Sequence, residues 1–422
     1  MKLLEALVPS DFRSSMRGPL RRFYTCTSIA SIGQGLTLSL FVVYLHNVRH
    51  FSTSFATLLL ALSAVVGLAS APIWGTMTDR LGPLRVILFA YTANAAALVF
   101  WGIAHTKMQA MLAALLIAVF GGAAWGPMST MLSRLVTPDH RQRAFGVNFM
   151  LVNLGLGVGA LVSASVVDIQ RPDTFIMLYA FNAAVTLLAA IFFLSIRTHG
   201  GPLKEHHDPE KRAEGWGVVI RDNRMVRYVI ASVFLMIGGY GSLDSGLSLF
   251  VVNNLQLSVH TIGVIFFFNT MTIVLAQLWV LNRIERRSRT RVMGVVAGFW
   301  FIFWIILQAT LALPAAASIP LLCLAMVVFA IGETMLQPVG SAIVNDIAPE
   351  HLRGRYNAAA GLSWGISSSL APAITALYFS VHVGNWWPLG TGLTALVGGL
   401  MMIDLRRHIS ATADGRHEVP AT

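Results

Sequence analysis

The sequence predicts an all-α polytopic membrane protein: twelve transmembrane helices in two related six-helix bundles, with both termini cytoplasmic. Three observations carry that expectation. The 422 residues are 55% hydrophobic and 12% charged, with mean hydropathy +0.68, whereas soluble chains carry about 25% charged residues. Apolar stretches recur along the whole chain at close to the ~20 residues that cross a ~30 Å hydrocarbon core as helix. Finally, every Lys and Arg except Arg49, Lys107 and Arg171 falls in the termini or in the alternate loops that lie on one face. That one-sidedness is the positive-inside rule and sets the orientation. It also accounts for the net charge of +11 through topology and contact with anionic headgroups, so no nucleic-acid partner is expected.

In chain order, residues 1–22 form a cytoplasmic N-terminal segment. The stretch "MKLLEALVPSDFRSSMRGPLRRFY" lacks a long apolar core and a small-residue cleavage site, so it reads as a short interfacial helix rather than a cleaved signal. Residues 23–197 hold the first bundle, with spans at 23–47, 55–78, 84–104, 108–132, 144–167 and 174–196. Residues 198–226 are a cytoplasmic linker, because "THGGPLKEHHDPEKRAEG" is charged and contains Gly and Pro. His206 and His207 within it are expected to be solvated. Residues 227–405 hold the second bundle, with spans at 227–252, 258–282, 291–313, 318–345, 355–380 and 385–405, and 406–422 are a cytoplasmic tail. Cys26 and Cys323 lie in separate apolar spans, which gives neither a disulfide framework nor a metal site. Gly155, Gly157 and Gly159, with "SWGISSSLAP" in the eleventh span, predict close helix packing. The aromatic run "GFWFIFWIIL" in the ninth is expected to face lipid.

The two halves repeat. "TLSLFVVYL" (37–45) matches "GLSLFVVNN" (246–254), and Trp74 matches Trp279. "GPMSTMLSRLVTPDHRQR" matches "QPVGSAIVNDIAPEHLRGR", with Pro127 to Pro138 and Pro338 to Pro349 equally spaced. Related six-helix halves around a midplane site are the sequence mark of an alternating-access carrier. No H-E-x-x-H, G-x-S-x-G or Walker A pattern occurs, so no enzyme activity is expected.

Two carboxylates stand alone in apolar sequence. Glu333 is the sole charge between Arg291 and Asp346. Asp244 is the sole Lys, Arg, Asp or Glu between Arg227 and Arg283, with His260 in the outside loop. Asp244 falls roughly 25 Å along its helix from Arg227, toward the outer half. An unpaired carboxylate in hydrocarbon costs several kcal/mol, so such groups hold a proton and mark function. Ionised, the same site attracts a lipophilic cation, so proton and substrate compete for it. Asp346, at the cytoplasmic end of the tenth span, is expected to pair with Arg353 or Arg355. Gln34, Asn148, Tyr240, Asn269, Trp304, Gln308 and Gln337 put polar or aromatic groups inside spans. They are candidate cavity lining, with inter-helix hydrogen bonding as the alternative.

Between the second and third spans stands "GTMTDRLGPLR". It resembles the signature loop of the major facilitator superfamily at Gly75, Asp79, Arg80 and Gly82, with the later basic residue displaced to Arg85. A degenerate copy, "NRIERRSRTR", occupies 282–291. The stretches "LLLALSAVVGLASAPIWGTMTDR", "LNRIERR" and "GETMLQP" resemble LmrP- and MdtH-like drug:H⁺ antiporters of that superfamily. The resemblance implies a twelve-helix carrier whose 75–85 loop locks the inner gate. It also implies proton coupling at Asp244 and Glu333, and a bacterial cell (inner or plasma) membrane setting. Asn148 stands where some relatives carry a carboxylate, and Ala118 falls about where a helix-four arginine is often found. Proton-coupled efflux of lipophilic or cationic compounds such as antibiotics is therefore expected. The alternative is proton symport or export of a small metabolite, peptide or lipid. No bound cofactor or metal is expected, the proton gradient being the energy source. The partners are a lipophilic small molecule, protons and membrane lipids, and the chain is expected to act as a monomer.

Overall fold

The structure, a computed structural model, describes residues 16, 18–37, 40–41, 44–168, 170–202, 214–285, 287–381 and 383–416. The predicted interfacial segment lies almost wholly outside these residues, as do His206 and His207 of the linker. Among the described residues all regular structure is helical.

Each of the twelve expected spans contains a helix. α1 runs Pro19–Thr37, with a π-helical turn at Tyr44–Val48 beyond it, and α2 runs Thr53–Leu81. α3 runs Pro83–Gly102, and α4 comprises Lys107–Gly121 and Trp125–Leu135, joined by a 3₁₀ turn. α5 is Pro138–Val166 and α6 is Pro172–Phe193. After a short helix at Trp216–Arg221, α7 comprises Asn223–Met236 and Ser242–Leu249, with π-helical turns at Ile237–Gly241 and Phe250–Asn254. α8 is Val259–Ile284, α9 Arg289–Ala309, α10 Ala315–Ile347, α11 Arg353–Ser380 and α12 Trp387–Leu405. Among the described residues ten of these are long and apolar enough to cross a membrane; α1 and α11 fall outside that set. α11 is rich in Ser and Gly and carries arginines in its first turn, which lowers its apolarity, whereas the apolar continuation of α1 beyond Thr37 lies partly outside the described residues.

Helix ends follow local chemistry. Thr106 and Gln109 form a reciprocal capping box at the start of α4. Ser52 and Ser288 accept from the first-turn N–H groups of α2 and α9. α5 begins at Pro138, six residues before the predicted 144, because Pro138 at the first helical position and Asp139 in the first turn favour a helix start. An apolarity window passes over that charged turn.

The chain divides into two compact units. One comprises 1–137, 148–214 and 349–358; the other comprises 138–147, 215–348 and 359–422. The start of α5 thus clusters with the second unit and the start of α11 with the first. In the first unit α6 packs on α1 and α3, around a core that includes Tyr44, Trp101, Phe175 and Tyr179. There the predicted glycine surface of α5 meets α1, since a Cβ on Gly155 would lie 2.8 Å from Ser31 Cβ. In the second unit α9 packs on α10 and α12, and α8 on α10. The aromatic run of α9 does not turn to lipid as predicted. Trp300, Phe303 and Trp304 are fully buried, and Ile302 and Ile305 form the exposed face. The helical period splits the run, and its aromatic stripe packs on Phe329, where Trp300 stacks, and edge-on against Trp387.

Candidate functional site

Glu333 sits inside α10 in the second unit and is 4% exposed. Its carboxylate accepts a hydrogen bond from Asn269 Nδ2 of α8. The Tyr240 side chain, from the π-helical turn of α7, lies within reach of both Glu333 and Gln337. Tyr240 also stands among aromatic rings: edge to Trp300 at 5.5 Å, edge to Phe329 at 5.9 Å, and tilted on Trp364 at 5.0 Å. Trp300 and Phe329 stack at 4.8 Å with a 5° interplanar angle. The result is a buried acid beside a continuous π surface, in a stretch of sequence with no Lys or Arg.

Asp244 is exposed on the α7 segment that follows the break. Its charge acts on both Glu333 and Tyr240, and no described residue pairs with it. The break itself is Ile237–Gly241, where Gly239 leaves helical geometry at φ −122°, ψ −111°. Trp304 Nε1 donates to the Gly238 carbonyl at 2.6 Å, satisfying a group that the irregular turn frees. π-Turns inside α-helices occur frequently at functional sites. This break is not legible from polar-residue counting, although its signal, "IGGYG" beside a lone aspartate, is present in the sequence.

The structure gathers Asp244, Glu333, Tyr240, Asn269 and Gln337 in one unit. Trp304 belongs to the same unit but is fully buried behind the wall, holding the α7 break, so it supports the site rather than lining it. Gln34, exposed on α1, and Asn148, half-buried on α5, lie in the other unit. Asn148 Oδ1 and Gln308 Oε1 are buried without a partner. Trp300, Phe329, Trp364 and Gln277 join the site from outside the sequence-derived set. Among the described residues no three His, Cys, Asp or Glu come together as a metal cluster.

The 75–85 segment is not a loop. Gly75, Asp79 and Arg80 lie in the last turns of α2, Arg85 in the first turn of α3, and Gly82 alone breaks the helix, with φ +86°. Asp79 is 2% exposed and sits at the N-terminus of α11. It accepts from Gly354 N at 2.6 Å and Arg355 N at 3.2 Å, and pairs with Arg355 Nη1 at 3.3 Å. An anion there meets the free N–H groups and the positive end of the helix dipole. The approach needs glycine on both helices, because a Cβ on Gly75 would lie 2.9 Å from Gly354 O, and one on Gly354 2.6 Å from Asp79 Oδ1. Arg80 and Arg85 are exposed and make no ion pair with a described residue.

A related arrangement occurs in the second unit at the degenerate copy, where Arg143 at the start of α5 pairs with Glu285 after α8. Beside it Asp346 pairs with Arg141 and Arg289, not with Arg353 or Arg355 as expected. Arg355 is taken by Asp79 and Arg353 by Glu350. Arg289 Nη1 also donates to Ala413 O at 3.0 Å, and the fully buried Asp414 accepts from Thr290 N at 2.9 Å. The tail therefore closes the N-terminus of α9.

Comparison with known proteins supports this architecture. A family model described as Major Facilitator Superfamily matches residues 23–312 and 229–418. A Na(+), Li(+), K(+)/H(+) antiporter of Planococcus maritimus is 22% identical, over 83% of this chain and 86% of its own length. The class H tetracycline resistance protein of Pasteurella multocida is 24% identical, over 88% and 92%. The multidrug resistance protein MdtH of Cronobacter sakazakii is 24% identical, over 67% of each chain. Among solved structures, a bacterial homologue of the iron transporter ferroportin in an outward-facing state superposes with TM-score 0.73. It covers 92% of this chain and 99% of its own, at 14% identity. With the family model spanning nearly the whole chain, the protein belongs to the Major Facilitator Superfamily and is a multi-pass plasma-membrane transporter.

Proposed function

We propose that this transporter exports lipophilic, often cationic compounds in exchange for protons, by alternating access. One observation carries the reading: Glu333 is buried with no cation in its apolar stretch, hydrogen-bonded by Asn269, beside the aromatic surface of Tyr240, Trp300, Phe329 and Trp364. A neutral carboxyl leaves that pocket apolar. An ionised one makes it attractive to a cation that also stacks on the rings. Asp244, near enough to feel the same charge, is the second coupling group, and the gradient supplies about 2.3 kcal/mol per proton per 100 mV. The Asp79–α11 contact serves as the gate latch. The chain works as a monomer with its termini in the cytoplasm.

The test is proton release from purified protein on addition of tetraphenylphosphonium. Wild type is expected to release protons and Glu333→Gln to release none while folding normally. Binding without release in both proteins would overturn proton–cation competition at Glu333 and favour symport or a neutral substrate. A second reading, antiport of an alkali cation, draws on the Planococcus relative and on the oxygen donors of Glu333 and Asn269. Release driven by Na⁺ or K⁺ but not by tetraphenylphosphonium selects it.

A further inference from the structure

Pro338 lies inside α10 and strips one carbonyl of its helical partner. In an α-helix each C=O accepts from the N–H four residues on, and proline has none. The carbonyl left open is that of Thr334, next in sequence to Glu333. In hydrocarbon a freed backbone group must find a partner on a neighbouring element. Here the partner is Gln277 of α8, whose Nε2 donates to Thr334 O at 2.9 Å, with both residues fully buried. Gln277 Oε1 is buried and unpartnered, so this amide is held for its N–H alone. Two turns earlier on α8, Asn269 donates to the Glu333 carboxylate. Side chains on a helix lean toward its N-terminus and carbonyls point toward its C-terminus. Two consecutive residues of α10 can therefore be held by two amides that stand apart on α8.

We propose that Gln277 is a positioning residue for the proton site: by satisfying the carbonyl that Pro338 leaves open, it holds this turn of α10 in place and aims Glu333 at Asn269 and Tyr240. The proposal rests on the reading of Glu333 as the proton-coupling group. It makes the glutamine and the proline a matched pair. Gln277 is needed because of Pro338, and restoring an N–H at that position removes the need.

The experiment compares wild type, Gln277→Leu and the double variant Gln277→Leu/Pro338→Ala, as full chains in detergent. Two readouts are taken: tetraphenylphosphonium-driven proton release across pH, and the infrared carboxyl band assigned to Glu333 by difference against Glu333→Gln. Gln277→Leu is expected to shift the Glu333 band and to lower release by roughly tenfold, the weight of one buried hydrogen bond. The double variant is expected to return both toward wild type, because Pro338→Ala restores a backbone N–H within reach of Thr334 O. A Gln277→Leu protein with wild-type band and release overturns the proposal, as does a double variant as impaired as the single one. Should Gln277→Leu not fold, the folded double variant decides: a wild-type band supports the proposal and a displaced band overturns it. Should wild type release no proton, the transport reading fails alone, and the band shift with its reversal still decides the role of Gln277.

Discussion

Asp346 shows how a single side chain can be chosen correctly and partnered wrongly. Its side chain is 3% exposed, between Arg141 and Arg289 at 8% and 4%. Removing one member of such a buried group strands the others, at a cost of about 3–5 kcal/mol. Asp346→Ala is therefore expected to lower the thermal unfolding midpoint sharply, and Asp346→Asn less so, in a fluorescence melt of the detergent-purified protein. Asp79 differs because a helix N-terminus holds it as much as an arginine does. Asp79→Asn keeps an acceptor for Gly354 N–H and loses the ion pair with Arg355 together with the acceptor for Arg355 N–H. Turnover in vesicles is expected to slow several-fold while substrate affinity stays near wild type; equal loss of both would show that the contact shapes the binding site rather than the gate. Glu333 and Asp244 are readable from the sequence because a lone acid in a long apolar run needs no partner to be noticed. The partners of Asp346 are not, because Arg353 and Arg355 are near in sequence while Arg141 is remote, and only folding brings α5 to it.

Helix α7 carries the feature that counting polar residues overlooks. Its break at Ile237–Gly241 comes from backbone geometry and from two tryptophans of α9. Trp300 lies flat where a side chain at Gly239 would project, and Trp304 supplies the N–H that the Gly238 carbonyl lacks. Gly239→Ala is thus expected to displace Trp300 from its stack on Phe329, seen as a change in tryptophan emission, and to disturb Tyr240 with it. Trp304→Phe keeps the packing and deletes the donor, so about 1–3 kcal/mol of stability should go with the unsatisfied carbonyl. An unchanged melt for Trp304→Phe would mean that the carbonyl finds another partner. The sequence displays the aromatic run of α9 as a lipid-facing patch. Its helical phase, set by what α10 and α12 present, turns half of it inward.

Over the whole chain, the repeat seen in sequence reappears as chemistry within each unit. An acid near the end of an even-numbered helix, Asp79 on α2 or Glu285 after α8, meets an arginine at the start of an odd-numbered one, α11 or α5. The pairing holds although the second copy of the motif is degenerate, because an acid at a helix end and an arginine at a helix start suffice for it. Both ends of the chain lie on one side only if an even number of the twelve helices cross, and α11 falls outside the set apolar enough to do so among the described residues. The crossing of α11 is testable from outside the cell. In a background with Cys26 and Cys323 replaced by Ala, Lys107→Cys and Arg171→Cys should react with a membrane-impermeant maleimide on intact cells. Arg407→Cys, on a side chain 83% exposed, should react only after permeabilisation. Labelling of Arg407→Cys on intact cells would leave an even number of crossings between Arg171 and Arg407, where α6 to α12 would supply an odd one. α11 would then be the first candidate to lie along the membrane instead of through it, because among the described residues it is the helix between Arg171 and Arg407 that falls outside the set apolar enough to cross, and it would leave the tail arginines against the positive-inside bias.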